Sequence, residues 1–273
     1  MRNNIPSFVK WAGGKKQLLS QFEEFFPSKI NRYFEPFVGG GAVAFHILSN
    51  YKPKEVYLLD INEELINCYN QIKSNPKELI SRLNEHKTKH NEEYFYKIRK
   101  QNPKELNELE RGSRFIYLNK TCFNGLYRVN SKGGFNVPMG KYKNPLISPK
   151  EDIIQINLLI KKAKIKCSSF KEVLKFAKKG DFVYFDPPYY PLKKGAFTTY
   201  TKDNFLEKEQ IELSEVFKKL DKNGCKVMLS NSDTEFIKSL YKGYNLFFVK
   251  ATRMINCNGQ DRGKINEIVV TNY

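Results

Sequence analysis

The sequence predicts an α/β fold: a mostly parallel sheet closed by an antiparallel C-terminal hairpin, with a mainly helical insertion carrying a β-hairpin. Three observations point there. Short apolar runs alternate with amphipathic stretches before residue 73 and after residue 150, as strands joined by helices do. Across residues 73–150 that alternation stops, and polar, charged, helix-forming sequence takes over. A glycine-rich turn, Gly39-Gly40-Gly41, follows the first apolar run and opens a helix.

Arg32-Tyr33-Phe34-Glu35 reads as the first strand, and the glycines lead into a helix over 42–48. Residues 56–59 form a second strand ending at Asp60, and Asn62 is placed to cap a helix running through Tyr69. Strand-like segments return at 164–167, 182–185, 226–229, 245–250 and 267–271, with helical patterns over 171–178, 204–220 and 234–241. Only a loop, 251–266, separates the last two strands, so they are expected to pair antiparallel. In the insertion the patterns predict helices over 76–90, 92–100 and 103–120. A Gly- and Asn-rich piece, 121–145, follows, with a hairpin turning near Ser131-Lys132-Gly133-Gly134.

The 273 residues are 40% hydrophobic and 28% charged, ordinary for a soluble globular protein. The charge balance is not ordinary: 47 Lys and Arg face 29 Asp and Glu, a net +18. Such an excess favours a polyanionic partner, with counterion release supplying much of the affinity. Five scattered cysteines without a C-x-x-C pair argue against a disulfide framework or zinc ribbon and fit a reducing cytoplasm. His46, His86 and His90 fall on helical patterns with no third ligand beside the last two, so no metal is expected and all three read as exposed helix residues. The N-terminus lacks a signal-peptide pattern, and no apolar run approaches a membrane span.

Asp186-Pro187-Pro188-Tyr189, ending the apolar run 182–185, carries the most chemistry. A carboxylate accepts a hydrogen bond from an exocyclic amine, the first proline leaves its neighbours' carbonyls free to accept another, and a tyrosine offers a face to an unstacked base. A plain strand running into a Pro-Pro turn is the alternative. At Glu35-Pro36-Phe37-Val38-Gly39-Gly40-Gly41 the glycines let a nucleoside approach the backbone, and Asp60 is placed for ribose hydroxyls. The run also satisfies G-x-G-x-x-A, which keeps a nicotinamide dinucleotide as a rival. Lys10-Trp11-Ala12-Gly13-Gly14-Lys15 is either a basic turn anchored by Trp11 or a site setting Trp11 against an adenine and Lys15 near a carboxylate. Phe123-Asn124-Gly125-Leu126-Tyr127-Arg128 mixes apolar wedges with an amide and a guanidinium, as insertion between base steps requires; an ordinary hairpin strand is the alternative. Arg253, Arg262 and Lys264 make the loop between the last strands basic, open to phosphate contact or to solvent alike.

Together, the Lys10–Lys15, Glu35–Gly41 and Asp186–Tyr189 segments resemble the DNA adenine methylases of the Dam type, most of all the Dam-like modification methylases of bacterial restriction systems. The similarity runs from near Phe8 to Tyr273 and takes in Phe123–Arg128, Phe135-Asn136-Val137-Pro138 and Leu229-Ser230-Asn231-Ser232. It implies an S-adenosyl-L-methionine-dependent methyltransferase fold, with residues 1–72 and 151–273 as the catalytic, cofactor-binding domain and 73–150 as a DNA target-recognition insertion. The cofactor residues it implies are Trp11, Lys15, Glu35, Phe37, Gly39, Gly41, Asp60 and Asp186. Asp186, Pro187 and Tyr189 are the catalytic set, and Lys10, Phe123, Asn124, Leu126, Arg128 and Pro138 face DNA. The expected reaction is methylation of N6 on a flipped adenine in double-stranded DNA, within GATC, by a cytoplasmic monomer. Two features depart from the family: Phe123 stands where a related methylase has Tyr, and Tyr127 replaces a smaller residue. Methylation of RNA or of a protein amide, and a basic nucleic-acid-binding protein with a vestigial pocket, are the competing readings.

Overall fold

The computed structural model describes residues 5–130, 133–192, 205–252 and 264–273. Seven strands, β1 (Arg32–Glu35), β2 (Glu55–Asp60), β3 (Lys164–Cys167), β4 (Phe182–Phe185), β5 (Lys226–Ser232), β6 (Asn245–Thr252) and β7 (Lys264–Thr271), make one sheet in the order β3-β2-β1-β4-β5-β7-β6. The first five are parallel, and β7 runs antiparallel between β5 and β6. The expected mostly parallel sheet with a closing hairpin is therefore what the chain forms. Its order reverses between β1 and β4, where the two strand ends leave a crevice.

Alternation along the strands builds two cores. Tyr33, Leu58, Phe182 and Tyr184 point to one face, where α2 (Ala42–Asn50), α3 (Glu63–Ser74) and α7 (Lys150–Ile160) cover them together with α1 (Leu19–Phe22). Phe34, Tyr57, Val183 and Phe185 point to the other, beneath α8 (Glu207–Lys222) and α9 (Glu235–Leu240). Side chains buried on both faces explain why these strands read as continuous apolar runs.

Capping fixes where several helices begin. Asn62 accepts from the Leu65 amide at 3.1 Å to start α3, as the sequence predicts, and Glu63 and Glu64 favour its N-terminal dipole. Pro76 opens α4 (Pro76–Lys89), and Asn91 caps α5 (Glu92–Lys100) through the Tyr94 amide at 2.8 Å. The single helix expected over 103–120 is instead a 3₁₀ turn, Pro103–Glu105, followed by α6 (Glu108–Thr121). Asn107 and Glu110 form a reciprocal capping box there, restarting the helix. The helix expected over 171–178 is a 3₁₀ segment, Phe170–Lys175, whose buried Phe170 and Val173 have the three-residue spacing that a 3₁₀ turn stacks.

The insertion has its own cluster, including Phe95, Tyr117, Leu118 and Val137, while Leu79, Leu83 and Phe115 belong to the first core. The expected hairpin is reduced to two isolated antiparallel bridges, Cys122 to Met139 and Val129 to Phe135. Its tip, Ser131 and Lys132, lies outside the described residues, as do the side chains of Arg253, Arg262 and Lys264. The histidines are not the exposed helix residues expected. His46 is buried, and His86 stacks on Tyr117 (centroids 4.7 Å apart) with Nδ1 2.8 Å from the Tyr94 hydroxyl. Burial pushes His86 down to about 4. His90, half-buried at the end of α4, sets Nδ1 3.0 Å from the Tyr117 hydroxyl. Phenol partners from α5 and α6 make these inward positions tolerable. No helix of the described residues is long and apolar enough to cross a membrane.

The capping box has a measurable consequence. Asn107→Ala is expected to cost about 1 kcal/mol, read in urea unfolding as a lower midpoint with an unchanged m-value.

Candidate active site

The N-terminal strap reaches the sheet through Lys15. Gly13 takes a left-handed conformation (φ 76°), turning the chain into a 3₁₀ turn, Lys15–Gln17, that buried Leu18, Leu19 and Phe22 anchor. Lys15 is 4% exposed, and its Nζ lies 2.8 Å from Asp186 Oδ1, 2.6 Å from the Gly13 carbonyl and 4.6 Å from the Tyr189 ring centroid. The lysine and carboxylate expected near one another thus form an ion pair. Burial raises the Asp186 carboxyl above its usual range, against the lowering pull of Lys15 and of Ser230, whose hydroxyl donates to Oδ1 at 2.9 Å.

The turn after β1 is built around bare backbone. A Cβ at Gly41 (φ 77°) would stand 2.5 Å from the Tyr69 hydroxyl, and one at Gly39 would stand 2.9 Å from the Trp11 indole. Trp11 therefore lies directly on the glycines. Its ring also stacks with Tyr127 at 6.2 Å, so the larger residue at 127 fills space beside Trp11. Asp60 Oδ2 accepts from the Gly39 amide at 3.0 Å and Oδ1 from the Asn62 amide at 2.9 Å, tying the end of β2 to the glycine turn. Desolvation raises Asp60, and its backbone donors partly offset the rise. Glu35, 2% exposed at the end of β1, accepts from the Tyr33 hydroxyl at 2.6 Å. Burial holds its carboxyl well above the usual range; the Tyr33 hydrogen bond lowers it, and Asp186 and Asp60 raise it further. Phe37 stacks on Phe170 at 5.5 Å and meets Phe205 edge-on at 5.6 Å, forming an aromatic wall on the far side of the turn.

Side chains that the sequence reading gave no role hold the Asp186–Tyr190 segment. Gln210 donates to the Pro188 carbonyl at 2.9 Å, Asn231 accepts from the Tyr190 amide at 3.1 Å, and the Ser232 hydroxyl donates to the Tyr190 carbonyl at 2.7 Å. Gln210 and Asn231 are themselves joined at 3.0 Å, both wholly buried. Tyr189 donates its hydroxyl to Glu267 on β7 at 2.7 Å. A polar Ser-Asn-Ser ending an apolar strand was the available signal for three of these contacts; Gln210 and Glu267 had none, since each acts across the sequence. Among the described residues, nothing donates to the Pro187 carbonyl.

A second surface gathers the expected DNA-facing residues. Asn119, wholly buried on α6, accepts from the Lys10 amide at 2.7 Å and donates to the carbonyls of Lys10 and Gly125, at 2.8 and 2.9 Å. One amide side chain thus joins the strap to the 123–125 turn. That turn is a 3₁₀ segment with Asn124 left-handed (φ 54°), not a hairpin strand. It leaves Phe123 47% exposed, with Lys10, Asn124, Arg128 and Pro138 also exposed. Lys10 Nζ sits 3.7 Å from the Tyr142 ring centroid, Arg128 Nε donates to Asn136 at 2.8 Å, and the Pro138 carbonyl accepts from the Phe123 amide at 2.9 Å. Leu126 differs from its neighbours: it is half-buried against the insertion's own cluster.

With this geometry in place, the comparisons agree with one another. Residues 11–255 match the family model for D12 class N6 adenine-specific DNA methyltransferases. The Type II methyltransferase M.MjaIII of Methanocaldococcus jannaschii is 46% identical, over 98% of this chain and 99% of its own length. The Type II methyltransferase M1.LlaDCHI of Lactococcus lactis is 45% identical, over 99% and 96%. The DNA adenine methylase of Vibrio cholerae is 37% identical, over 96% and 94%.

The raised Glu35 carboxyl carries a signed stability prediction. Its folded value lies above its unfolded one, so ionisation opposes folding as pH rises above about 4.3. Glu35→Gln keeps an acceptor for Tyr33 and lacks that charge. In urea unfolding of the ligand-free protein at pH 4 and pH 7, the variant should match the parent at pH 4 and exceed it at pH 7. Equal stability at both values would mean that Glu35 titrates normally.

Proposed function

This chain belongs to the D12 class of N6 adenine-specific DNA methyltransferases, and we propose that it moves a methyl group from S-adenosyl-L-methionine to an adenine flipped out of duplex DNA, within GATC. The observation that carries this reading is Asp186, a carboxylate at a central strand end, paired with Lys15 beside the glycine turn and followed by a Pro-Pro-Tyr turn clamped in place.

The cradle fits this donor. Gly39 and Gly41 keep the backbone bare, Asp60 closes the turn next to them, and Lys15 brings a buried ammonium. Trp11, Lys15, Glu35, Phe37, Gly39, Gly41, Asp60 and Asp186 are the residues proposed to hold it. When bound, the donor supplies a methyl group activated by a positively charged sulfur, which suits a weak nucleophile. The chain's own residues must then align the amine and stabilise charge as nitrogen becomes tetrahedral. Asp186 and the Pro187 carbonyl are proposed to accept the two N6 hydrogens, drawing the lone pair out of ring conjugation. Tyr189, its hydroxyl held by Glu267, offers a ring face to the base.

In a duplex, N6 is engaged in pairing, so the adenine must leave the stack at a cost of roughly a few kcal/mol. Phe123 is the exposed side chain proposed to fill the gap. Lys10, Asn124, Arg128 and Pro138 are proposed to read base edges beside it, with Leu126 buttressing the turn. The net +18 charge supports phosphate contact. One strand is methylated at a time, consistent with a monomer, and the scattered cysteines suit the cytoplasm.

DNA from an expressing host, digested with methylation-sensitive and methylation-insensitive enzymes that cut at GATC, should resist the former and yield to the latter. Full cutting by both would overturn GATC as the target. Labelled methyl transfer should favour an unmodified duplex over single strands and RNA. Asp186→Ala is expected to abolish transfer; because it also leaves buried Lys15 without its partner, calorimetric binding of S-adenosyl-L-methionine should weaken while binding of DNA largely persists. Arg128→Ala should relax sequence preference by roughly 1–3 kcal/mol; an equal loss on every sequence would mark Arg128 as a phosphate contact instead.

A further inference from the structure

Asp186 Oδ1 accepts from two donors at once, Lys15 Nζ at 2.8 Å and Ser230 Oγ at 2.9 Å. Ser230 is wholly buried on β5, and its oxygen lies 2.8 Å from the hydroxyl of Tyr184, also wholly buried, on β4. A serine hydroxyl has one hydrogen to give. An ionised carboxylate can only accept, so Ser230 directs that hydrogen to Asp186 and must itself accept from Tyr184. The chain of bonds therefore runs one way, Tyr184 to Ser230 to Asp186, each polarising the next in a low-dielectric setting.

The parallel register makes this arrangement rigid. Tyr184 pairs with Met228 and Phe185 with Leu229, so Ser230 stands one step on, where Asp186 leaves β4. Tyr184 and Asp186, two apart, project toward the same face. A planar carboxylate gripped on one oxygen from two directions has little freedom to rotate. Among the described residues nothing donates to its other oxygen, Oδ2.

We infer that Ser230, backed by Tyr184, is a positioning residue for methyl transfer, fixing the Asp186 carboxylate so that Oδ2 faces the target amine. The inference rests on the proposed reading of the site and deepens it. With both donors on Oδ1, negative charge is drawn to that oxygen, and Oδ2 serves as hydrogen-bond acceptor more than as base. The other ionisable groups around Asp186 are Lys15, Glu35, Tyr33 and Tyr189; of these, Tyr189 also meets Ser230, and its hydroxyl is held by Glu267.

The test compares full-length parent, Ser230→Ala and the double variant Ser230→Ala/Tyr184→Phe, using labelled methyl transfer to a GATC duplex. Loss of one charge-assisted hydrogen bond should lower kcat roughly ten- to a hundredfold. KM for the duplex and for S-adenosyl-L-methionine should stay within about twofold of the parent, a range too small to involve even one such bond. In the double variant no hydroxyl is left without a partner, so the urea midpoint should return toward the parent while kcat stays low. A double variant that regains parental kcat, or a Ser230→Ala effect confined to KM, overturns the inference. Crystal structures of the ligand-free parent and Ser230→Ala supply a readout independent of turnover. A rotated Asp186 carboxylate in the variant supports the inference, and a superposable one overturns it. An inactive parent would defeat the reading of the function, and that structural comparison would still decide the role of Ser230.

Discussion

A buried ammonium and a largely buried carboxylate meet where the N-terminal strap crosses the centre of the sheet, and most of the site depends on that meeting. Lys15 and Asp186 are far apart in sequence yet 2.8 Å apart in space. Each alone would be strongly unfavourable away from water, because a desolvated charge needs a counter-charge or must neutralise. The pair therefore makes the closed strap and the ionised Asp186 mutually dependent. Lys15 also lies over the Tyr189 ring, so the same ammonium sets the face of the Pro-Pro-Tyr turn. Burial still raises the Asp186 carboxyl, which shows the attraction offsetting the desolvation cost only in part.

Topology does the rest of the gathering. Because the strand order reverses between β1 and β4, the glycine turn and the Asp186 turn leave the same edge of the sheet side by side. Asp60 then arrives on the next strand and holds the Gly39 amide. Its carboxylate thereby has a structural task at the turn as well as the proposed one toward ribose. The clamp of Gln210, Asn231 and Ser232 fixes backbone that two prolines could not fix through their own amides.

Among the contacts that join the insertion to this machinery, one buried amide reaches two segments at once. Asn119 holds Lys10 on the strap and Gly125 in the exposed turn, so the surface proposed to meet bases moves with the segment that carries Trp11 and Lys15. Three hydrogen bonds from one wholly buried side chain are costly to break, because the Asn119 amide itself and the buried Gly125 carbonyl would be left without partners. Such a joint suits the proposed registration of a flipped base against a bound donor.

Local pattern determined the strands, their mostly parallel pairing with a closing hairpin, and the three motifs that the fold gathers at the strand ends. Each of these follows from short-range regularities: alternation along a strand, a cap at a helix start, glycine where a side chain cannot fit. The break at Asn107 and the 3₁₀ turn at Phe170 were written locally too, but as competing signals that apolar spacing obscured. Inward-facing His46 and His86, and Leu126 turned into the insertion's cluster, were not legible, since burial depends on which neighbours the fold delivers. The same holds for Asn119, Gln210, Ser230 and Glu267. A sequence states what a side chain can donate or accept; only tertiary structure decides what it reaches, because such hydrogen bonds join segments that meet when the whole chain folds.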